Sequence, residues 1–545
     1  MSVTKYGIYV AWQPAVDLRA EGLGRYLAAF LKGASARKEV KFVLVCPSWS
    51  QETLEQLFDS ETVSRDQIQI LSPVGKPYLL RSYEAYCHYS QLVRPLSVRC
   101  RTGLRAQFIK QRVRQYAEDQ LAKVHNHSSS LTAVLKLIPL LLLVLLFALP
   151  LVLWAAVAWS LRIIKRYFLW VQKPFRWLAR VIAFPKNDGW VLRIFDVMYQ
   201  VEIDRMQHLI ENLQDVKAWY CPTAFWPAFN NIHAPRLMCV PDVVLMDFSV
   251  GFAASGNDRQ LQTFDNIQNA VRGADHIVTY SAAVKWKTLV DLFGMPATKI
   301  SVVHHAPNSL DSWIKLSDTP DEDAATFNYC KALLLQALKK SSNSAYCSGF
   351  LNGEVQFLFY ASQFRPNKNV LTLLRAYEYL LKHRLFSYKL ILTGEGSTEI
   401  QRFIVDHHLE NDVLCLQKLA VDELAACYKM ATLAINPSLS EGGCPFTFNE
   451  ALSVGTPVVT ARIPVTQEIL HNSELQDVMF FDPYDWKDMA KRIEWALKNR
   501  DQLLTVQTAI YNQLSKRTWS DVVNEHLDIM DDIACAAVVE ITVAT

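Results

Sequence analysis

The amino-acid sequence predicts an α/β protein with two mostly parallel sheets, and three features carry that prediction. Short apolar runs alternate with helical patterns in both halves of the chain. At 545 residues the chain is too long for one ordinary core, so two large domains are expected. Charged and glycine-containing loops follow several apolar runs, at the carboxyl ends of strands where open α/β sheets bind ligands.

The first domain opens with YGIYVAW and KFVLVCP on either side of the helical GRYLAAFLKGA, a βαβ beginning. The N-terminus, MSVTKYGIYVAWQP, has no basic region ahead of an apolar one. It reads as a first strand and not as a signal peptide, which makes a cytosolic start the expectation. In QPAVDLRAEGLGRYLAAF, Gly22 and Gly24 are expected to form a flexible loop before a helix that starts at Arg25. That loop either faces a ligand between the domains or is only a βα turn. VKAWYCP, RLMCVPDVVLM, HIVTYSA and KISVVHHAP read as the strands that complete the sheet.

Between these two groups of strands the pattern breaks. A basic helical stretch, RCRTGLRAQFIKQRVRQYAEDQLAKV, precedes LIPLLLLVLLFALPLVLWAAVAWSL, and no charged residue occurs from Leu137 to Leu161. The run is long enough to cross a bilayer core. If the strands on both sides of it complete one sheet, however, both halves lie on one side of the membrane, and the Lys and Arg that flank it at both ends likewise argue for two cytoplasmic ends. Pro139 and Pro150 offer points where the segment turns back, and RYFLWVQKPFRWLARVIAF has the composition of an interfacial helix. The expectation is a monotopic, re-entrant anchor over residues of about 131–183, with a true span or a buried apolar hairpin as alternatives.

The second α/β domain begins near VQFLFYASQF and continues through YKLILTGEGS, DVLCLQ, LAINPSL and TPVVTA. Arg365 and Lys368 follow its first strand at a helix entrance, where two cations and a helix N-terminus suit a diphosphate, though a solvated basic loop has the same composition. Gly394 and Gly396 mark a strand-to-helix turn; with Glu399 in place of a third glycine, the pattern speaks against a nicotinamide dehydrogenase. SEGGCPFTFNEALSVGTPVV sets Glu441 and Glu450 around a turn, with a helix expected from Phe446. A carboxylate can accept both hydroxyls of a vicinal diol, and Gly442 and Gly443 let backbone amides approach an anion or a sugar. Capped-helix surface glutamates are the plainer reading.

Taken in order, GLGRY, QFRPNKN, LTGEG, VDELAACYKMATLAINPSLSEGG, NEALSVGTPVV and QEIL resemble the retaining family 4 glycosyltransferases with the GT-B fold, in which two Rossmann-like domains face a central cleft. The resemblance covers residues of about 356–499 and, more loosely, the first domain. It implies that Arg365 and Lys368 hold the donor diphosphate, that Glu450 binds the nucleotide ribose, and that Glu441 contacts the donor sugar beside Gly442, Gly443 and Cys444. Gly22 and Gly24 match the family's N-terminal glycine loop. No metal cofactor is implied, because cations and helix dipole neutralise the diphosphate.

Two departures stand out. The glutamates are spaced E-x8-E where the family has E-x7-E, and Pro241 precedes Asp242 where many members carry a His-Asp pair. Asp242 remains a cleft candidate. His304 and His305 are others, although a histidine at a strand end is more often a structural hydrogen-bonding group.

The expected organisation is an acceptor-side domain over 1–310 interrupted by a membrane insertion at 95–185, an interdomain helix and linker at 311–350, a nucleotide-sugar domain at 351–515, and a C-terminal helix and tail at 516–545. The expected function is transfer of a mannose- or glucose-type hexose from a nucleotide diphosphate sugar to a lipid-linked glycan acceptor, at the cytoplasmic face of a bacterial inner membrane. An inactive GT-B membrane scaffold and a sugar-nucleotide epimerase are the alternatives. A net charge of +3 gives no support for a nucleic-acid partner, and eleven cysteines without a C-x-x-C pair suit a reducing compartment and no zinc site.

Overall fold

The computed structural model describes residues 3–14, 16, 18, 22–78, 80–81, 189–255, 258–318, 320–341, 343–347, 355–394 and 398–544. The apolar run Leu137–Leu161, the wider insertion at 95–185 and Gly396 lie outside them. Among the described residues no helix is long and apolar enough to cross a membrane.

Among the described residues the first sheet has seven strands: β1 (Thr4–Tyr9), β2 (Val40–Val45), β3 (Ile68–Leu71), β4 (Val216–Cys221), β5 (Arg236–Cys239), β6 (His276–Thr279) and β7 (Ile300–Val302). Their order is β3-β2-β1-β4-β5-β6-β7, and every pairing is parallel. The second sheet has six: β8 (Phe357–Tyr360), β9 (Lys389–Thr393), β10 (Val413–Leu416), β11 (Leu433–Asn436), β12 (Val458–Ala461) and β13 (Phe480–Phe481), ordered β10-β9-β8-β11-β12-β13 and again parallel. Both are doubly wound. The order reverses between β1 and β4 and between β8 and β11, and these switch points are where such sheets bind ligands. FLFY, VLCL, LAIN and VVTA are buried along their whole length, because helices cover both faces of a parallel sheet.

Helices among the described residues that bear on the cleft and its surroundings include α1 (Gly22–Ala34), α2 (Glu322–Leu338), α3 (Val370–Arg384), α4 (Val421–Met430), α5 (Phe446–Ser453) and α6 (Trp519–Ala544). Each domain has its own apolar core. The segment expected to be an interdomain connector contains α2, which packs on α4 and buries Leu333, Leu334 and Leu338 in the second core. Helix α6 leaves the second domain and packs on α1, β4 and β5, placing Val522, Val523, Leu527 and Met530 in the first core. Its leading half follows the sequence expectation of a return to the N-terminal domain, and the helix runs on to Ala544.

One expectation is corrected. Gly22 and Gly24 are not a loop ahead of the helix; they form its first turn. Gly22 has open space around its Cα, whereas a side chain at Gly24 would collide with the backbone carbonyl of Leu18. The tight return of the chain onto the helix thus requires glycine at Gly24.

Candidate active site

Loops after the strands of the two sheets meet face to face. The loop after β8 carries Arg365 and Lys368 on a turn of 3-10 helix, Pro366–Lys368. Asn369 ends that turn in the left-handed region (φ 54°) and donates its side-chain amide to the carbonyls of Pro437 (3.1 Å) and Pro483 (2.8 Å). The Leu439 N–H donates to Asn367 O at 2.8 Å. These bonds stitch the cation loop to the loop after β11, so the two halves of the site hold a set spacing. Gly394 follows β9 at φ 108°, a conformation that favours glycine, and an added Cβ would lie 3.0 Å from Ser362 O.

Across this seam Lys368 Nζ reaches both oxygens of Glu441, at 3.1 and 3.2 Å. Burial, the largest single influence, would push the ammonium down, but the facing Glu441 carboxylate together with Tyr360 and Asp242 outweighs it and holds Lys368 above its ordinary value. Asp242, in the loop after β5, is pushed up to about 6, chiefly by loss of water; Lys368 and Arg365 pull it down and Glu441 adds to the rise. Arg365 is exposed and donates to Gln363 Oε1 at 2.8 Å. Two cations and two carboxylates, from both domains, therefore share one field.

The glycines of the SEGGC turn have a further role. A side chain at Gly442 would strike the Pro241 carbonyl, and one at Gly443 would lie 2.8 Å from the His305 ring and 3.0 Å from Tyr280 Cβ. They let the second domain press against the loops after β5, β6 and β7. His305 is buried, its ring 5.1 Å from that of Phe446, and burial lowers its basicity. His304 is exposed, with Nδ1 2.8 Å from Tyr280 O. Cys444 is buried as well; Asn449 donates to its sulfur at 3.4 Å, and burial pushes its thiol up to about 12, which makes it inert as a nucleophile near neutral pH.

Helix α5 begins at Phe446, as the sequence predicts, and carries Glu450 at 3% exposure. Arg25 of α1 donates Nη1–H to Glu450 Oε1 at 3.1 Å. Together they border a cavity of about 750 Å³ between α1, the Pro307–Trp313 connection, the start of α4 and the start of α6. A second link lies further along: Glu468 accepts the backbone N–H groups of Ala282 and Ala283, at 2.8 Å each. Sequence reasoning noted Arg25 without assigning a partner and gave Glu468 no role. Both partners are distant in sequence, and no local pattern joins them.

Two doubly wound domains closing on a charged cleft are the architecture of the GT-B class. The comparisons with known proteins agree. Residues 348–513 match the family described as glycosyl transferases group 1. The chain is 24% identical to the O-antigen chain mannosyltransferase RfbU of Salmonella typhimurium over 42% of its own length and 53% of the relative's. It is also 24% identical to the serotype-specific mannosyltransferase WbdA of Escherichia coli, over 42% of this chain and 27% of that one. It thus spans about half the length of these curated relatives or less. Among solved structures, sucrose-phosphate synthase of Thermosynechococcus elongatus aligns at a TM-score of 0.53 with 11% identity, covering 98% of this chain and 100% of that one. The Anabaena protein HepE in complex with UDP and glucose aligns at 0.50 with 12% identity, over 97% and 100%. These likenesses concern the fold. The family match covers residues 348–513, within the second domain.

Proposed function

We propose that this protein is a membrane-associated retaining glycosyltransferase that moves a mannose- or glucose-type hexose from a nucleotide diphosphate sugar to a lipid-linked glycan acceptor. The observation that carries the proposal is the Arg365–Lys368 loop at the carboxyl end of β8, facing Glu441 and, from the other domain, Asp242. A diphosphate placed there meets two cations, and the donor sugar's hydroxyls meet Glu441. Glu450 supplies the acceptor for a ribose diol. The named mannosyltransferase relatives favour mannose and a polysaccharide product.

The protein's contribution is positioning together with stabilisation of charge on the leaving diphosphate and the oxocarbenium-like sugar. Lys368 is released from Glu441 as the diphosphate takes its charge, which frees the carboxylate for the sugar. Retention by front-face displacement, family 4 membership and metal independence rest on sequence resemblance. The uncharged run Leu137–Leu161 with basic flanks supports attachment at the cytoplasmic face of a membrane, where a lipid-linked acceptor is met in two dimensions.

The test is a binding screen of detergent-solubilised protein against GDP, UDP and ADP sugars, with E450Q as control. Binding of one nucleotide class that is weakened in the variant supports the donor site. A folded protein that binds none of them overturns the transferase reading in favour of a scaffold. In the transfer assay that follows, EDTA is expected to leave the rate unchanged; loss of activity that Mg²⁺ restores would overturn metal independence.

A further inference from the structure

Arg25 belongs to the first domain and Glu450 to the second, so their 3.1 Å contact exists only while the domains face each other. The guanidinium also lies 5.9 Å from the centre of the Phe446 ring, at the start of the helix that carries Glu450. Glu450 is 3% exposed, whereas the Arg25 side chain keeps 26% of its surface and borders the 750 Å³ cavity with Lys32, Glu61, Trp313 and Val421. That volume suits a nucleotide-sized ligand. A carboxylate offers about four acceptor positions, and the guanidinium uses one of them on Oε1. Tyr428 faces the same carboxylate; the acceptor positions that neither group takes are the ones offered to a vicinal diol, and the arginine's rigid, permanently charged fork holds the carboxylate in one orientation.

We propose that Arg25 is a positioning residue for the nucleoside half of the donor: by holding Glu450 from across the cleft, it makes recognition of the ribose diol conditional on domain closure. The inference rests on the reading of the cleft as a nucleotide-sugar site. Arg25 acts on the ribose through Glu450, and the diphosphate remains with Arg365 and Lys368.

The experiment compares three probes on wild type, R25A and R25K: the nucleoside diphosphate that the wild type binds, its 2′,3′-dideoxy form, and inorganic pyrophosphate. Wild type is expected to prefer the ribose form ~10- to 100-fold, the span of one net hydrogen bond to a charged acceptor. In R25A that preference falls to ~3-fold or less while pyrophosphate affinity is kept, and R25K is intermediate. A general loss of structure would weaken all three probes together, so the ratio isolates the ribose. If R25A does not fold, R25K gives the same reading, with thermal melting as the check on its fold. An undiminished ribose preference in the folded variant overturns the proposal. A wild type that binds nucleotides without any ribose preference overturns the role of Glu450, and no nucleotide binding at all overturns the donor reading beneath both.

Discussion

In the proposed reaction Lys368 is the residue on which the chemistry turns, because it is the cation shared by Glu441 and the field of Asp242. Its side chain is 22% exposed and its removal opens no core, so K368A is expected to melt close to wild type while losing ~10²- to 10³-fold in kcat, as removal of a preorganised electrostatic donor does. A K368A enzyme of near-normal kcat would remove it from the mechanism. Asp242 gives a pH signature. Its folded-state value is raised to about 6 from an ordinary 3.8, so the folded protein holds the proton more tightly and loses stability as pH rises through that window. Wild type and D242N should therefore melt together below pH ~4, with the variant the more stable above about 6. Parallel curves across the range would show that Asp242 is not desolvated.

At the level of elements, short segments are held by distant partners. The cation loop owes its shape to Asn369, whose amide ties it to Pro437 and Pro483. Helix α6 is docked by a buried histidine, His526, whose ring meets Phe30 of α1 and Tyr220 of β4 edge-on, each at 5.2 Å. Its Nδ1–H donates to Val522 O at 2.8 Å, and Nε2 is buried without a partner, so a second proton has nothing to meet. Burial pushes its pKa from 6.5 to about 4. The stability it contributes is complete above 6.5 and is lost as pH falls towards 4. H526L should reduce the acid sensitivity of unfolding over that interval; unchanged sensitivity would mean that other groups control it. The longer strands and α5 were legible because continuous apolar runs and a turn-to-helix signal announce them. β3 and β13 were not read, since IQIL is only half-buried and Phe480–Phe481 is too short to show a period.

For the whole molecule the decisive variable is the relation of the two domains. Glu468 joins them by accepting two backbone N–H groups, and Gly442 and Gly443 let the facing loops close without collision. E468A removes the joint without touching the cation loop. It is expected to enlarge the radius of gyration of the nucleotide-free protein in small-angle scattering and to weaken donor binding ~3- to 10-fold, a fraction of what two charge-assisted hydrogen bonds can supply at a partly exposed site. If both quantities stay at wild-type values, Glu468 is a surface contact without influence on closure.

The sequence by itself determined the α/β class, the strands that run apolar for their whole length, and the placing of Arg365, Lys368, Glu441 and Glu450 just past strand ends. Those properties are local: periodicity, turn chemistry and the order of motifs lie within short windows of chain. Only the tertiary structure decided which charges meet. Arg25 on Glu450, Asp242 in the field of Lys368, and Glu468 on Ala282 and Ala283 are pairings between distant segments. It likewise moved Gly22 and Gly24 into a helix and gave Gly442 and Gly443 a packing role. The physical reason is that steric collisions and electrostatic fields depend on distance in space, and domain closure sets that distance for groups hundreds of residues apart.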